Sequence, residues 1–447
     1  MSKQAQSMFE LPSLVRFYLA RIRERLWIKP LMSCVLSIGA VMIAGIVDGI
    51  TLGVKLPNVS AEALETMLTI MSSSMLVIAT FAVGSMISAY ASASGTATPR
   101  AFPLIVADDV SQIALSTFIG AFIFSIVGLA AQLNGYYTGA GRFVLFIITL
   151  FVFSIVVLAF VRWVDRIARL GRLGHTTSKV ETAADAALQE WANLPRMGAM
   201  SIDESDSGFE IYTQRVGYIQ NINFAKLQRL AEKVDGMITV CSEPGMFVTP
   251  NLPLARFIDK SASTESASSE CTCIDEIKAT FVIGPERTFE SDPRFGMVVM
   301  SEIASRALSS AVNDPGTAIN IIGSLVRMLS KWSGVCQENE AAGRASEKPL
   351  YDRVALADLS VDDLFNDAFT AIVRDGAGSL EVCIRIQKAF LALSSIGDED
   401  MANAASRLSD LAFRYAEKSL ILDEEIEIVR SYVKQLNDIK KHSMDSK

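Results

Sequence analysis

Charged and polar side chains are concentrated between residues 287 and 317, in a stretch that is otherwise apolar or small. Their types bind anions or exchange protons: Arg287, Asp292, Arg294, Glu302, Arg306, Asn313, Asp314 and Thr317. Arginine holds a carboxylate or phosphate through paired hydrogen bonds, and a helix start nearby favours the same negative charge. The stretch is therefore a candidate site for an anionic small-molecule ligand. The same charges could instead form an internal salt-bridge network.

An enzyme could use Asp292, Asp314 and Arg306 as acid, base and anion clamp, because two carboxyl groups in different surroundings can do acid–base work. Against this interpretation, the sequence has no nucleophile–histidine pair, no glycine-rich phosphate loop and no metal-ligand cluster. We therefore predict no catalytic residue, metal or cofactor. A membrane-anchored enzyme stays open as an alternative.

Asp314-Pro315 also has a purely structural interpretation. The residue before a proline favours an extended backbone, which a helix N-cap needs, and proline fits the first helical position. We predict one helix at Phe295–Leu308 and a second that continues through Thr317–Leu329. In this interpretation Asp314 is the cap of the second helix and Pro315 is its first residue.

The composition is that of a membrane protein with a large polar remainder. Of 447 residues 50% are hydrophobic, and the mean hydropathy is positive. A net charge of −8 argues against nucleic acid as a partner. The six cysteines are scattered, which predicts reduced thiols and no disulfide framework.

Four stretches are long and apolar enough to span a bilayer. They are Leu31–Leu52, Met67–Tyr90, a stretch that follows Asp109 and ends near Leu133, and Phe143–Val161. Lys and Arg flank the first and the last stretch, so both chain termini are expected in the cytoplasm. We therefore expect a multi-pass protein of the cell (inner or plasma) membrane that contacts the lipid bilayer.

Small residues recur every four positions in the second apolar stretch, at Gly84, Ser88 and Ser92. This spacing is typical of a close helix–helix contact in lipid. A path lined by hydroxyl groups is the alternative. The small residues also make a homo-oligomer plausible.

We predict a mixed fold, with a four-helix transmembrane domain, a cytoplasmic α+β domain and a C-terminal helical unit. The α+β domain is expected to contain a small β barrel or sandwich-like unit, because short β-branched runs alternate there. The boundaries are 1–29 for a basic N-terminus, 30–166 for the spans, 167–208 for a connector, 209–290 for the β-rich unit with a Ser-rich loop at 260–273, 291–332 for the motif-bearing helix pair, and 350–447 for the helical unit.

The stretch 287–319 resembles the signature of a bacterial membrane-protein family known as domain of unknown function 2254. The matching motifs are Arg287-Thr288, Asp292-Pro293, Phe295-Gly296, Ile303-Ala304, Arg306-Ala307-Leu308-Ser309, Asn313-Asp314-Pro315 and Thr317-Ala318. The sequence departs from the family pattern at Ser291, Glu302 and Ser310. Shorter matches, such as Pro244-Gly245, extend the resemblance over nearly the whole chain. It implies four spans and a large cytoplasmic part, and it supplies no activity.

These observations favour a non-enzymatic channel, transporter or sensor with a ligand-binding cytoplasmic domain. The alternatives are the membrane-anchored enzyme and an oligomeric scaffold.

Overall fold

A computed structural model of the chain describes residues 27–48, 57, 59–106, 109–167, 173–202, 208–259, 267–343, 348–396 and 398–445. The chain divides into two compact units, one within Tyr18–Thr176 and one that contains Thr177–Lys447. We call them the apolar-helix unit and the α/β unit. The predicted basic N-terminus, 1–29, lies almost wholly outside the described residues.

Within its described residues, the apolar-helix unit contains four long α-helices and one short α-helix. They are α1 (Ile28–Asp48), α2 (Ala61–Thr96), the short α3 (Phe102–Val106), α4 (Asp109–Leu133) and α5 (Gly139–Ile167). The four long helices are long and apolar enough to cross a membrane, over Ile28–Ile46, Ala61–Ser92, Val110–Leu133 and Gly139–Ile167. The prediction of four apolar spans is confirmed.

Helix α4 is the centre of this unit, because it packs against α1, α2 and α5. Gly120 of α4 allows the close approach to α1. A Cβ atom at Gly120 would lie 3.0 Å from the Cβ of Ser33, and the Ser37 hydroxyl donates to the Gly120 carbonyl at 2.8 Å. A small-residue contact thus joins α1 and α4, as such contacts do in membrane proteins.

The sequence predicts a close helix–helix contact at the small residues of α2. Within the described residues, Gly84 and Ser88 do not make this contact. Gly84 and Ser88 are exposed on the helix surface. A Cβ atom built at Gly84 would meet nothing within 4 Å. The sequence pattern is real, but the tight contact occurs at Gly120, where a single glycine is enough.

The α/β unit begins with helix α6 (Leu173–Asn193) and contains two β-sheets. The first sheet has five strands in the order β1-β8-β4-β6-β2, and the second has three strands in the order β5-β3-β7. The strands are β1 (Ala199–Met200), β2 (Phe209–Tyr212), β3 (Gly217–Ile222), β4 (Gly236–Val240), β5 (Phe247–Val248), β6 (Pro253–Asp259), β7 (Phe281–Gly284) and β8 (Tyr351–Ala355).

Helices α7 (Phe224–Lys233) and α8 (Ala267–Lys278) interrupt the strands. Ile219, Leu227, Ile238, Leu254 and Val354 are fully buried in the core between the sheets and α7. Asn223 caps α7 by accepting a hydrogen bond from the Lys226 N–H at 3.0 Å, which explains why the helix begins there.

The remaining helices follow the sheets. They are α9 (Phe295–Ala307), α10 (Pro315–Ala341), α11 (Val361–Asp375), α12 (Leu380–Ile396), α13 (Glu399–Ser419) and α14 (Asp423–Asp445). Helix α9 packs against α10 and α11, and α12 packs against α10, α13 and α14. The helical C-terminal segment therefore has the predicted helices.

Three boundaries differ from the sequence predictions. Residues 267–273 of the expected Ser-rich loop are helical and belong to α8, while residues 260–266 lie outside the described part. The range 350–447, expected to be helical, begins with strand β8, which pairs in parallel with both β1 and β4. Two of the five strands of the larger sheet, β1 and β8, therefore lie outside the predicted β-rich range 209–290.

Candidate functional site

Asp292 lies in the loop between β7 and α9 and is almost completely buried, with 1% of its side chain exposed. Its Oδ1 atom accepts hydrogen bonds from the backbone N–H groups of Arg294 and Phe295, each at 3.0 Å. These bonds satisfy N–H groups at the start of α9 that have no partner within the helix. Asp292 therefore caps α9 from inside the protein.

The Arg287 guanidinium forms a paired interaction with the same carboxylate. Its Nε atom donates to Oδ2 of Asp292 at 2.6 Å, and its Nη2 atom donates to Oδ1 at 2.9 Å. The guanidinium also lies 5.3 Å from the centre of the Phe295 ring. Burial raises the pKa of Asp292, while Arg287 and the two backbone N–H groups oppose that rise.

A tight turn after β4 closes over this carboxylate. Gly245 has a φ angle of +92°, and a Cβ atom there would lie 2.2 Å from Oδ2 of Asp292. Only glycine combines this backbone angle with such a close approach. The Gly245 N–H donates to the Ile219 carbonyl at 2.8 Å, which holds the turn against β3. The turn and the start of α9 are thus fixed to one another.

Arg294 extends the cluster to α11. Its Nε atom donates to Asp367 and its Nη1 atom donates to Asp363, both at 2.7 Å. The Arg294 side chain is 29% exposed. One guanidinium therefore ties the start of α9 to two positions one turn apart on α11, although about 70 residues of chain separate them.

Glu243, in the turn that contains Gly245, is a further carboxyl group beside this cluster whose pKa is strongly shifted. Burial raises the pKa of Glu243 to about 7, Arg294 opposes the rise, and Asp363, Asp292 and Asp358 add to it. The sequence analysis missed Glu243. Its only signal was the Pro244-Gly245 turn, which implies a fixed conformation but no charge partner.

The charge balance of the cluster differs from the prediction. Both arginines are occupied, because Arg287 pairs with Asp292 and Arg294 pairs with Asp363 and Asp367. Glu243 adds a further carboxyl group, so acids outnumber bases. The geometry therefore suits a proton or a cation at Glu243 better than an anion at the two arginines.

The second polar group of the signature lies at the start of α10. Asp314 accepts the Thr317 N–H at 3.0 Å, and the Thr317 hydroxyl donates to its Oδ2 at 2.6 Å. These hydrogen bonds lower the pKa of Asp314. Pro315 is the first residue of the helix, and Asn313 has a left-handed φ of 50° that turns the chain from α9 into α10. Asp314 and Pro315 have the capping geometry that the sequence suggests.

The predicted site residues form two groups at opposite ends of α9. Asp292 contacts its first turn, whereas the Asp314 N–H donates to Ala307, the last residue of α9, at 2.8 Å. The helix has 13 residues, which at 1.5 Å each separates its ends by about 18 Å. Arg306 is exposed near the second end and Glu302 is half-buried one turn earlier. The set does not converge on one pocket.

Within the described residues, no group of three or more His, Cys, Asp or Glu side chains is arranged to hold a metal ion.

The fold and these contacts define a class of protein: four apolar helices of membrane-spanning length precede an α/β unit that contains buried and partly buried ion pairs. The family described as "Predicted membrane protein (DUF2254)" matches residues 23–392. The chain belongs to that family, and the resemblance found in the sequence is confirmed.

Individual relatives share a short stretch with the chain. "Uncharacterized protein Mb1321c" of Mycobacterium bovis and "Uncharacterized protein Rv1290c" of Mycobacterium tuberculosis are each 58% identical to it over 40 residues. The shared stretch is 9% of this chain and 8% of each relative. No solved structure matches the chain.

Proposed function

We propose that the protein is a non-enzymatic channel, transporter or sensor of the cell membrane. In this proposal its four apolar helices span the inner or plasma membrane, and both termini and the α/β unit are cytoplasmic. The α/β unit binds a ligand, and the spans respond to the binding.

The observation that carries this proposal is the position of Glu243 beside Arg294. Arg294 joins α9 to Asp363 and Asp367 on α11, and the Glu243 turn packs on Asp292 through Gly245. A proton or cation that neutralises Glu243 changes how strongly Arg294 is held by its other partners, because all these charges share one partly buried site. Binding of a proton or cation at Glu243 thus changes the strength of the ion pairs that join α9 to α11.

The expected anionic ligand fits this cluster poorly, since it would have to displace carboxylates from Arg287 or Arg294. Removing one partner of a buried ion pair typically costs about 3–5 kcal/mol. We therefore propose that the Glu243 site responds to protons or cations.

The test uses the full chain reconstituted in liposomes, with ion flux measured at pH 6 and pH 8. We expect the flux to differ between the two values in the unaltered protein. Glu243→Gln should show the pH 6 behaviour at both. Glu424→Gln alters an exposed glutamate of α14 and should behave as the unaltered chain.

Limited proteolysis of the same samples tests the sensor version. We expect the cleavage pattern of the α/β unit to change between pH 6 and pH 8 only when Glu243 is present. Absence of flux under every condition would remove the channel and transporter versions. A cleavage pattern that is equally pH-dependent in Glu243→Gln would remove Glu243 as the responding group.

One observation favours an enzyme as the second candidate. A half-buried carboxyl group with a pKa near 7 beside an arginine is suited to general acid–base catalysis. Asp292 and Asp314, the carboxylates that the sequence suggested, are engaged in capping. The enzyme version predicts a hydrolytic or proton-transfer activity of the full chain that Glu243→Gln abolishes and Glu424→Gln preserves.

A homo-oligomer is part of the proposal. The exposed face of α2 that carries Gly84 and Ser88 offers room for close contact with a second copy. Light scattering with correction for bound detergent would give the mass of the assembly. A monomeric mass in several mild detergents would contradict the oligomer, and with it the scaffold alternative.

A further inference from the structure

Two arginine side chains converge where α10 crosses α12, away from the signature cluster. The meeting point is Gly323, a buried glycine in the interior of α10. A Cβ atom at Gly323 would lie 3.0 Å from Nη2 of Arg385 and 3.8 Å from Nη1 of Arg327. Both guanidinium groups therefore lie within 4 Å of one point on the helix surface.

The two guanidinium groups are not equally neutralised. Arg327 donates to Oε1 of Glu181 in α6 at 2.7 Å and to the Ser324 hydroxyl at 2.8 Å. Arg385 is exposed and, among the described residues, has no carboxylate within ion-pair distance. The crossing therefore carries more positive than negative charge.

The lysine one turn further along α10 does not change this balance. Lys331 pairs with Asp185 of α6 at 2.6 Å. Two like charges held close together repel one another, and an anion that contacts both relieves this repulsion.

Gly323 makes this convergence possible. A glycine in a helix interior lowers the stability of the helix by about 1 kcal/mol relative to alanine. An alanine methyl group would crowd the guanidinium of Arg385 at 3.0 Å. The missing side chain leaves the space over Gly323 to the Arg385 guanidinium, which lies there close to the guanidinium of Arg327.

We propose that Arg327 and Arg385 bind a phosphate or phosphoryl group over Gly323. Arginine suits this task because its planar donor fork matches phosphate oxygens and stays charged at all physiological pH values. The phosphoryl group can belong to a soluble molecule or to a lipid headgroup. The site is separate from Glu243 and goes beyond the function proposed above.

Binding at this site competes with Glu181 for Arg327. Glu181 belongs to α6, the helix that follows the last apolar helix in the chain. A bound phosphate takes over donors that otherwise hold Glu181, and so it weakens the link between α6 and α10.

The experiment uses the full chain in dodecyl maltoside micelles, which contain no phosphate. Inorganic phosphate and pyrophosphate are titrated against chloride at equal ionic strength, and the thermal midpoint is recorded. A ligand of the native state raises the midpoint with concentration. We expect pyrophosphate to raise it, and Arg385→Gln to weaken the apparent affinity at least tenfold. Arg414→Gln, which alters an exposed arginine of α13, should leave the affinity unchanged.

Glu181→Gln tests the proposal through the direction in which the pyrophosphate affinity changes. Because Glu181 competes for Arg327, its neutralisation should strengthen pyrophosphate binding several-fold. A surface-charge effect without a site would respond equally to Arg385→Gln and Arg414→Gln, and that result would overturn the proposal.

Micelles doped with phosphatidylglycerol distinguish the two sources of the phosphoryl group. Stabilisation by soluble pyrophosphate supports a soluble ligand. Stabilisation by the doped micelles alone, lost in Arg385→Gln, supports a headgroup. No stabilisation in either arm would overturn the site, and this outcome is independent of the pH-dependent test of Glu243.

Discussion

The two ends of α9 carry the same dipeptide in different surroundings. Asp292-Pro293 precedes α9, whereas Asp314 precedes α10 and Pro315 is the first residue of α10. Both aspartates accept hydrogen bonds from backbone N–H groups at the start of a helix. Asp292 is 1% exposed and bound to Arg287, whereas Asp314 is partly exposed and bonded mainly to Thr317. The buried Asp292 therefore holds several elements together, whereas the partly exposed Asp314 caps one helix.

The difference shows that the same Asp-Pro motif can make very different contributions to the free energy of unfolding. A partly exposed cap contributes about 0.5–2 kcal/mol, while breaking a buried ion pair costs about 3–5 kcal/mol. Both aspartates precede a proline in the sequence. Variants that remove one or the other make the comparison quantitative.

The largest effect is expected for Asp292→Ala. The change leaves Arg287 without its carboxylate and two N–H groups of α9 without an acceptor, so we expect about 3–5 kcal/mol of lost stability. The measurement is urea denaturation of the full chain in micelles, followed by tryptophan fluorescence. Trp191, whose indole donates to the Ser291 carbonyl at 3.4 Å, reports directly on this region. A loss below 1 kcal/mol would show that burial does not separate the two caps.

Glu243→Gln should change how stability depends on pH. The folded protein raises the pKa of Glu243 from 4.5 to about 7, so it binds a proton more tightly than the unfolded chain does. This contribution to stability is full below about pH 4.5 and is lost as pH rises to about 7. Because the group is partly exposed, we expect glutamine to stabilise the protein by about 1–3 kcal/mol at pH 8.

The measurement is urea denaturation of Glu243→Gln and of the unaltered chain at pH 5, 6, 7 and 8. The difference between Glu243→Gln and the unaltered chain should grow across these values and then level off. A difference that does not vary with pH would mean that Glu243 does not titrate in this range. Glu424→Gln is the matched control.

A smaller effect is expected at the other end of α9. Asp314→Ala should cost about 0.5–2 kcal/mol, because the Thr317 N–H loses its acceptor, whereas Asp314→Asn should cost only a few tenths. Since hydrogen bonds lower the pKa of Asp314, its contribution is full above about pH 3.8 and falls at lower pH. Equal losses for the two variants would argue for a role of the negative charge beyond capping.

The smallest effect is expected for Arg306→Ala. Arg306 is exposed, and exposed substitutions usually change stability by less than about 0.5 kcal/mol. A midpoint that matches the unaltered chain would leave only a ligand or partner as a reason for this arginine. A loss above 1 kcal/mol would instead show that Arg306 stabilises the end of α9 near Asp314.

Local patterns predicted the elements that local physics determines. The apolar stretches became α1, α2, α4 and α5 because length and hydropathy decide whether a helix suits lipid. The C-terminal unit that was predicted to be helical contains α11 to α14, and Asp314 caps α10 in the way its proline suggested. Each of these features depends on residues within a few turns of one another.

Contacts between distant segments could not be predicted. Arg294 was a candidate for anion binding or for an internal salt-bridge network, and the sequence did not name its partners Asp363 and Asp367, which only the packing of α9 on α11 brings near. The perturbed pKa of Glu243 likewise arises from burial and from charges on other segments. A single sequence shows that such groups are charged, but not which of them meet.

Strand β8 has a consequence for the order in which the protein is made. It lies between β1 and β4 in the five-stranded sheet, and residue 199 of β1 pairs with residue 351. A ribosome adding 5–20 residues per second needs roughly 8–30 s to synthesise the intervening chain. Until β8 is made, β1 and β4 have no strand to join them, although the four apolar helices α1, α2, α4 and α5 are already synthesised. The α/β unit therefore completes its larger sheet only after the membrane part of the chain has been made.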